Sequence, residues 1–423
     1  HRVGRRQRQM CIRDRASADV KSEPGSEVSA ELGACPITRI RSMVRARQVL
    51  GLRGASTQAG FTAEKIPEGL FRRRPLLIAD DPGRDERRRE LGRFFAPPAL
   101  RGAHERFIRA MARRTARQLS ADGAPRCLDE AALRYSVAVA ARVVGLPEDR
   151  IPATARRLER FFTQPPVDYA RRDYGRTRRQ WIQAAVRGLR AVLGFWHGDV
   201  APAIRAHRRV VRRDPIGTLL AHGAGRVEIL AEAMTWATAG MVTTREFITM
   251  ATWRLLEDPA LAEAYRAADA DGRDLLLREI LRVEPVVGHL YRRVREPISG
   301  AGGQAQLPVG AFLDLDVRAA NRDPEAVGER PDRIRPDRGL PGSRAAGLSF
   351  GHGTHRCPGE PLALLETRLL IDELLARGVR IVREPRRAED PLIAGYRLRG
   401  MLVRVGPAPT RPGGAGQRRR SPR

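Results

Sequence analysis

The sequence predicts a mainly α-helical fold with a smaller β-rich portion, packed as one large domain. Three observations carry this. From about residue 81 to Pro285, segment after segment places apolar residues at three- and four-residue spacing. Beyond Pro285 the texture changes to short strand candidates, Gly-rich turns and coil, and no Pro/Gly/Ser linker separates the two regions. With 423 residues, 42% of them hydrophobic, the chain can bury a large core and is not mainly disordered.

Taken in order, residues 1–15 (HRVGRRQRQMCIRDR) lack an initiator Met and any apolar period. They read as a non-native leader resembling sequencing-adapter read-through, and the domain is placed at 16–406. PLLIAD (75–80) reads as a short buried strand, and DPGRDERRRELGRFFAPPAL as a basic helix ending near Pro97 and Pro98. Helices follow in ALRGAHERFIRAMARRTARQL, in DEAALRYSVAVAARVVGL, and in a long segment around 167–197. The stretch 226–258 is apolar around most of its girth and at 1.5 Å per residue can run about 50 Å, so it is predicted to cross the core. DLLLREILRVEP gives another helix. Short strands, a polar coil at 320–342, a Gly-rich run, a helix to about Arg377 and a strand pair around Ala394-Gly395 come next, and 407–423 is an Arg/Gly/Pro tail predicted to be disordered. A coil as long as 320–342 inside a compact chain usually has a job.

The formal charge is +29, and of 78 basic residues only Lys21 and Lys65 are Lys, the mark of a GC-rich genome. The two ends are strongly basic, but the body remains basic without them. Nucleic acid and acidic proteins are both attracted by such a field, and motifs that read a nucleic-acid strand are absent, which argues against nucleic acid. Cys11, Cys35, Cys127 and Cys357 are far apart in a chain too large to need stapling, in keeping with a reducing cytoplasm. No stretch reaches the roughly 18 apolar residues of a spanning helix, and the amino-terminal segment lacks an apolar signal core.

One run carries chemistry: Phe350-Gly351-His352-Gly353-Thr354-His355-Arg356-Cys357-Pro358-Gly359. Its glycines allow positive φ and close backbone approach immediately before a Cys that opens an amphipathic helix, where unpaired N–H groups and the positive dipole end favour a thiolate. Such a Cys serves as metal ligand or nucleophile, or is simply buried after a turn. A zinc site of His352, His355 and Cys357 lacks the usual further ligands.

These residues resemble the cytochrome P450 family, whose haem-ligand signature FxxGxxxCxG is matched by Phe350, Gly353, Cys357 and Gly359. The resemblance extends over about 70–405 and is nearest to the soluble bacterial members; it implies the P450 fold, haem b, and Cys357 as thiolate ligand to iron. Glu279 and Arg282 resemble the family's ExxR pair, and PDRI places Arg333 where an Arg completes a buried triad. Ala239-Gly240-Met241-Val242-Thr243-Thr244 resembles the oxygen-binding AGx(D/E)TT segment. There Gly240 implies clearance for a flat cofactor and O₂, and the Thr243 hydroxyl a proton-transfer role; Val242 replaces the acid, with Glu246 or water as substitutes. His355 and Arg292 match positions that hold haem propionates. The family's HxxxR maps onto Arg84 and Arg88, so the His is replaced and Arg88 retained, although among the seven Arg from Arg73 to Arg93 a solvated basic face is an equal reading. Val287, Gly288, His289 and Leu290, with Met241, Thr238 and the 161–190 region, are expected to face the substrate pocket. His289 could hydrogen-bond a substrate atom or equally the backbone or water.

The activity implied is insertion of one oxygen atom from O₂ into a hydrophobic small molecule such as a secondary-metabolite intermediate. The chain has no flavin or nicotinamide fingerprint and no iron–sulfur Cys spacing, so a separate ferredoxin and an NAD(P)H-dependent ferredoxin reductase are implied. An acidic ferredoxin suits a basic face formed by Arg356 and the 84–93 run. Two alternatives stand beside this: a haem-thiolate enzyme that uses peroxide or catalyses a rearrangement, and a basic nucleic-acid-binding protein in which the Cys loop is incidental.

Overall fold

The computed structural model describes residues 37–407 except 61–62, 67–68, 70, 163–164, 166, 170, 172–173, 301–304, 336, 341–343 and 391–394. The predicted leader at 1–15 and nearly all of the predicted tail lie outside the described residues.

The centre of the molecule is the helix Arg226–Glu257, whose 32 residues span about 48 Å. It starts where the Gly225 N–H donates to the Glu228 carboxylate at 3.0 Å. It ends at Asp258, which caps the following helix Pro259–Ala267 and whose Pro neighbour cannot continue the first. Its middle is buried on nearly all sides, with Met241, Ile248, Met250 and Leu255 at 0% exposure. Leu128–Val144 packs along one flank, where the Ser136 hydroxyl donates to the Met241 carbonyl at 3.1 Å. Glu360–Ala376 packs along another and is held to Leu128–Val144 by the Tyr135 hydroxyl, which donates to the Glu366 carbonyl at 3.0 Å.

Strands Ile37–Ile40, Phe312–Asp316, His289–Val294 and Ser56–Gln58 form a sheet in that order, the first pair parallel and the others antiparallel. Arg126–Cys127, Leu402–Arg404 and Arg380–Arg383 form a second sheet, and Arg386–Asp390 pairs with Gly395–Arg399. Among the described residues no helix is long and apolar enough to cross a membrane. Cys127 and Cys357 are free.

Two predicted elements are corrected. Segment 75–80 is a turn, with the Ile78 N–H donating to the Pro75 carbonyl at 3.0 Å; among the described residues no strand edge takes its backbone, and the Leu76 N–H donates instead to Glu232 of the long helix at 2.9 Å. The helix predicted over 167–197 begins only at Arg178, where Thr177 and Gln180 form a reciprocal capping box, and it runs to Phe195 before a π-helical turn at Trp196–Val200.

Candidate active site

The turn before Cys357 depends on two glycines. Gly351 and Gly353 have φ of +70° and +66°, and a Cβ on Gly353 would overlap the Leu50 carbonyl. The backbone so bent lets the Cys357 N–H donate to the Phe350 carbonyl at 2.7 Å and delivers the thiol to the start of Glu360–Ala376. Cys357 is exposed to a cleft of about 870 Å³ bounded by Gly51, the Arg84–Gly92 helix and Pro361. It lies at the cleft's floor with protein around it. Desolvation therefore pushes its thiol above the ordinary value, while a hydrogen bond from the Gly359 backbone and the charges of Arg88 and Arg356 pull it down.

Beside this loop four charged side chains converge. His355 Nε2 lies 2.7 Å from Asp80 Oδ1, and burial holds the imidazole below its ordinary pKa against the pull of that carboxylate. Burial alone would raise Asp80, but the bonds from His355 and the Gln58 N–H, with the charge of Arg292, hold it below the usual carboxylate range. Arg292 is 4% exposed, and burial beside a single carboxylate lowers its pKa to about 10, with Arg84 adding to the fall. Arg84 is buried too, and the Nε atoms of both Arg84 and Arg292 have no hydrogen-bond partner. Arg84 has one bond of its own, from Nη1 to Asp85 Oδ1 at 3.2 Å, and the only carboxylate beside Arg292 is Asp80, already bonded to His355, so the cluster still fits an added anion such as a haem propionate. Arg84, not Arg88, belongs to it. Arg88 instead donates to the Arg356 carbonyl next to Cys357.

The ExxR pair is a closed network. Arg282, at 0% exposure, uses all five N–H groups: Nε and Nη2 reach the Glu279 carboxylate at 2.7 and 2.9 Å, and the rest go to the carbonyls of Asn321, Pro331 and Arg333 at 2.7, 2.6 and 3.1 Å. The third member is Arg338, not Arg333. Arg338 Nε donates to Glu279 Oε1 at 2.9 Å, and its other N–H groups hold the carbonyls of Val327, Glu329, Arg330 and Arg333. Arg333 has an exposed side chain and contributes only its carbonyl. The polar coil thus supplies carbonyl acceptors for two guanidinium groups. Asn321, unmarked in the sequence reading, joins this network to the Cys loop: its Nδ2 donates to the Arg282 carbonyl at 3.1 Å and to Ser349 Oγ at 3.0 Å, and its Oδ1 accepts from the Leu348 N–H at 2.6 Å.

On the long helix, Ala239 is exposed and Thr243 half-buried, with the Thr243 hydroxyl donating to the Ala239 carbonyl at 2.6 Å. Gly240 does not face the same way: a Cβ there would lie 3.6 Å from Ala140, so the missing side chain eases the crossing with Leu128–Val144. Met241 and Thr238, expected in the substrate pocket, are sealed in the core at 0% and 8% exposure, Thr238 Oγ1 being bonded to the Met234 carbonyl. Val242 is buried as well. Glu246 is no substitute acid, for it is fully buried and held by Arg245, Arg399 and the Leu398 N–H. Thr244 is buried against Glu366, whose carboxyl is raised well above its usual pKa by burial, opposed by the Thr244 bond.

His289 is turned away from Arg292. In Val294 to His289 the strand alternates, so Leu290, Arg292 and Val294 share one face and His289, Tyr291 and Arg293 the other. His289 Nδ1 lies 2.7 Å from Asp314 Oδ1, and its ring stacks on Tyr291. Val287 is half-buried and bridges to Gly395. Among the described residues no three His, Cys, Asp or Glu side chains could hold a bare metal ion, which removes support for a zinc site at His352, His355 and Cys357.

Comparison with known proteins agrees with this architecture. The family model "Cytochrome P450" matches residues 274–377. Biflaviolin synthase CYP158A1 of Streptomyces coelicolor is 31% identical over 325 residues, 73% of this chain and 71% of that protein. Erythromycin C-12 hydroxylase of Saccharopolyspora erythraea is 37% identical over 164 residues, but the match spans only 38% of this chain and 40% of that protein. The crystal structure of CalO2 superposes with a TM-score of 0.74 at 23% identity, covering 91% of this chain and 93% of that one, which speaks for the fold. A cysteine-opened helix, a closed ExxR network and a relative matched over most of its length together show that this chain belongs to the cytochrome P450 family.

Proposed function

We propose that the protein is a haem-thiolate monooxygenase that inserts one oxygen atom from O₂ into a hydrophobic small molecule. Electrons come from a ferredoxin and its NAD(P)H-dependent reductase, in the cytoplasm. The observation that carries this is Cys357, presented by a glycine-dependent turn at a helix start beside two buried guanidinium groups that lack a full set of acceptors. Haem b bound there would supply O₂ activation and the oxidising power. Cys357 would hold its iron, and Arg84, Arg292 and His355 would take its propionates. Arg88, Arg356 and the Gly359 backbone favour the thiolate against the desolvation that opposes it.

Thr243 Oγ1 is the proton-handling atom. Its hydroxyl rests on the Ala239 carbonyl, an acceptor it can exchange for a water by rotating χ1. With Val242 in the core and Glu246 locked, water is the proton source for that hydroxyl. The substrate class we propose is a secondary-metabolite intermediate, in keeping with relatives named for erythromycin and biflaviolin chemistry. The cleft at Cys357 carries Arg53, Arg88, Arg89, Arg93, Arg278 and Arg356 against Asp85 and Glu360, and an acidic ferredoxin suits it.

The test is spectroscopic. Reduced protein under carbon monoxide should show the red-shifted Soret band of thiolate-ligated haem, and Cys357→Ala should abolish it; colourless protein from haem-supplied cells refutes the proposal. A second reading, peroxide use without an electron donor, is favoured by Val242 standing where the family has an acid and by Glu246 being locked in the core. Turnover with hydrogen peroxide alone that matches the ferredoxin-driven rate would put it first.

A further inference from the structure

The helix Arg178–Phe195 carries large aliphatic side chains on its outer side. Toward the core it turns Ala184 and Ala191, both buried, and the half-buried Gly188, while Ile182, Val186, Leu189 and Leu193 are 55%, 44%, 60% and 47% exposed. A surface helix that meets only its own core does the reverse, because burying a Leu or an Ile stabilises more than burying an Ala. Four large aliphatic side chains in a row on the outside mark a face that another surface covers.

These four residues are spaced four, three and four apart. That is the a and d spacing of a seam between two helices, narrower than the stripe a helix turns to a globular core. With Val186 and Leu193 at a, and Ile182 and Leu189 at d, Ala184 and Ala191 fall at f, opposite the seam, which is where the structure buries them. The seam is open at both edges, for Gln183 and Arg190 at e and Ala185 at g are exposed.

The charges choose the occupant. The helix has four Arg and no Asp or Glu, in a chain of +29, so a second copy fits only in a pairing that keeps like charges apart. Antiparallel pairing does so. Val186 then packs on Leu189 of the second copy and Ile182 on its Leu193, and the e edges meet: each Gln183 amide oxygen faces an Arg190 guanidinium, twice by symmetry. On the other edge Ala185 faces Val192. Arg187, at b, points away from the seam, and the Arg179 side chains of the two copies stand about 25 Å apart, well past the Debye length of about 8 Å. Parallel pairing would set Arg179 on Arg179. An acidic partner finds only Arg190 beside the middle of the seam, since the second edge is Ala185 and Val192.

We propose that this helix is the interface of a two-fold symmetric dimer of the protein, with the two copies of the helix antiparallel. The pairing calls on no residue that lines the cleft at Cys357, so it stands apart from the monooxygenase reading.

Sedimentation velocity of the full chain at physiological salt tests this. A seam of four side chains per copy is at the small end of specific contacts, so a dimer with a Kd of about 10–100 μM is expected. Ile182→Ser/Leu189→Ser should weaken it at least about tenfold. Gln183→Glu sets a carboxylate against Arg190 of the second copy and should tighten it about threefold. Ala185→Glu makes the same charge change on the apolar edge, over Val192, and should weaken it about threefold. All four positions are exposed, and circular dichroism checks that each variant keeps the fold. Protein that stays monomeric at about 300 μM, a dimer indifferent to Ile182→Ser/Leu189→Ser, or one that Ala185→Glu tightens as much as Gln183→Glu does would each overturn the proposal. Flotation with phosphatidylglycerol vesicles reads the other occupant: monomeric protein that floats, and stops floating with Ile182→Ser/Leu189→Ser, would give this face to a lipid surface and overturn the dimer.

Discussion

Replacing Arg338 by Ala should destabilise the protein far more than replacing Arg333, although both stand in the same tripeptide, Pro-Asp-Arg. Arg338 is 5% exposed at its side chain and places five N–H donors on Glu279 and four carbonyls. After its removal Glu279 keeps Arg282 and the Arg335 N–H, the Arg333 carbonyl keeps Arg282, and the Arg330 carbonyl keeps the Arg333 N–H. The carbonyls of Val327 and Glu329 lose the partner that Arg338 gave them. The Glu329 carbonyl is exposed and water replaces its partner, so one buried charge-assisted bond and one stranded carbonyl come to about 3 kcal/mol. That is a large part of a typical total stability of about 5–15 kcal/mol. The Arg333 side chain makes no hydrogen bond or ion pair among the described residues, and its carbonyl survives truncation, so Arg333→Ala should stay within about 0.5 kcal/mol. Urea unfolding followed by circular dichroism measures both. A loss at Arg333→Ala that equals or exceeds the loss at Arg338→Ala would refute the assignment.

Three further outcomes are expected. Burial raises Glu232 to about 7, against the Leu76 N–H and Arg87, so the folded state holds its proton more tightly than the unfolded state does. Stability linked to this group is full below the unfolded value near 4.5 and falls as pH rises to about 7, by up to about 3 kcal/mol; unfolding free energies at pH 5 and 8 should show the drop, and Glu232→Gln should flatten it. Gly353→Ala adds a Cβ at positive φ onto the Leu50 carbonyl and should cost about 2–5 kcal/mol, seen in the same titration, whereas Gly54→Ala, with open space around it, should cost about 1–2 kcal/mol. Val242→Asp, which would recreate the acid beside Thr243, places a carboxylate in the apolar core, so it should lower stability by about 3–5 kcal/mol without raising coupled turnover.

The helical part of the fold was legible because each helix buries a stripe, and a stripe is a period in the sequence. The long helix matched its predicted span within a residue, since Gly225 and Asp258-Pro259 mark its ends chemically. Segment 75–80 was misread because an apolar hexapeptide is a strand only if some edge accepts its backbone, and here Glu232 takes the Leu76 N–H instead. That is a tertiary fact with no local trace. The helix at Arg178–Phe195 is different: Thr177-Arg178-Arg179-Gln180 is itself a capping-box pattern, and it marks the true start inside the apolar stretch.

At the site, glycine turns and the cysteine were readable because their chemistry is local, whereas the third arginine was not. Pro-Asp-Arg occurs at 331–333 and again at 336–338, and spacing alone cannot choose between two copies five residues apart. The pocket residues admit a sharper argument, because the elements' own periods decide them. A helix that turns Thr243 toward an open face turns Met241 about 200° around its axis, into the core where Leu128–Val144 packs. A strand that buries Arg292 toward Asp80 places Leu290 on the same side and His289 on the other, where it meets Asp314. Both assignments follow once one residue of the element is anchored. The residues to test for substrate contact are therefore Ala239 and Leu290, the in-phase neighbours of Thr243 and Arg292.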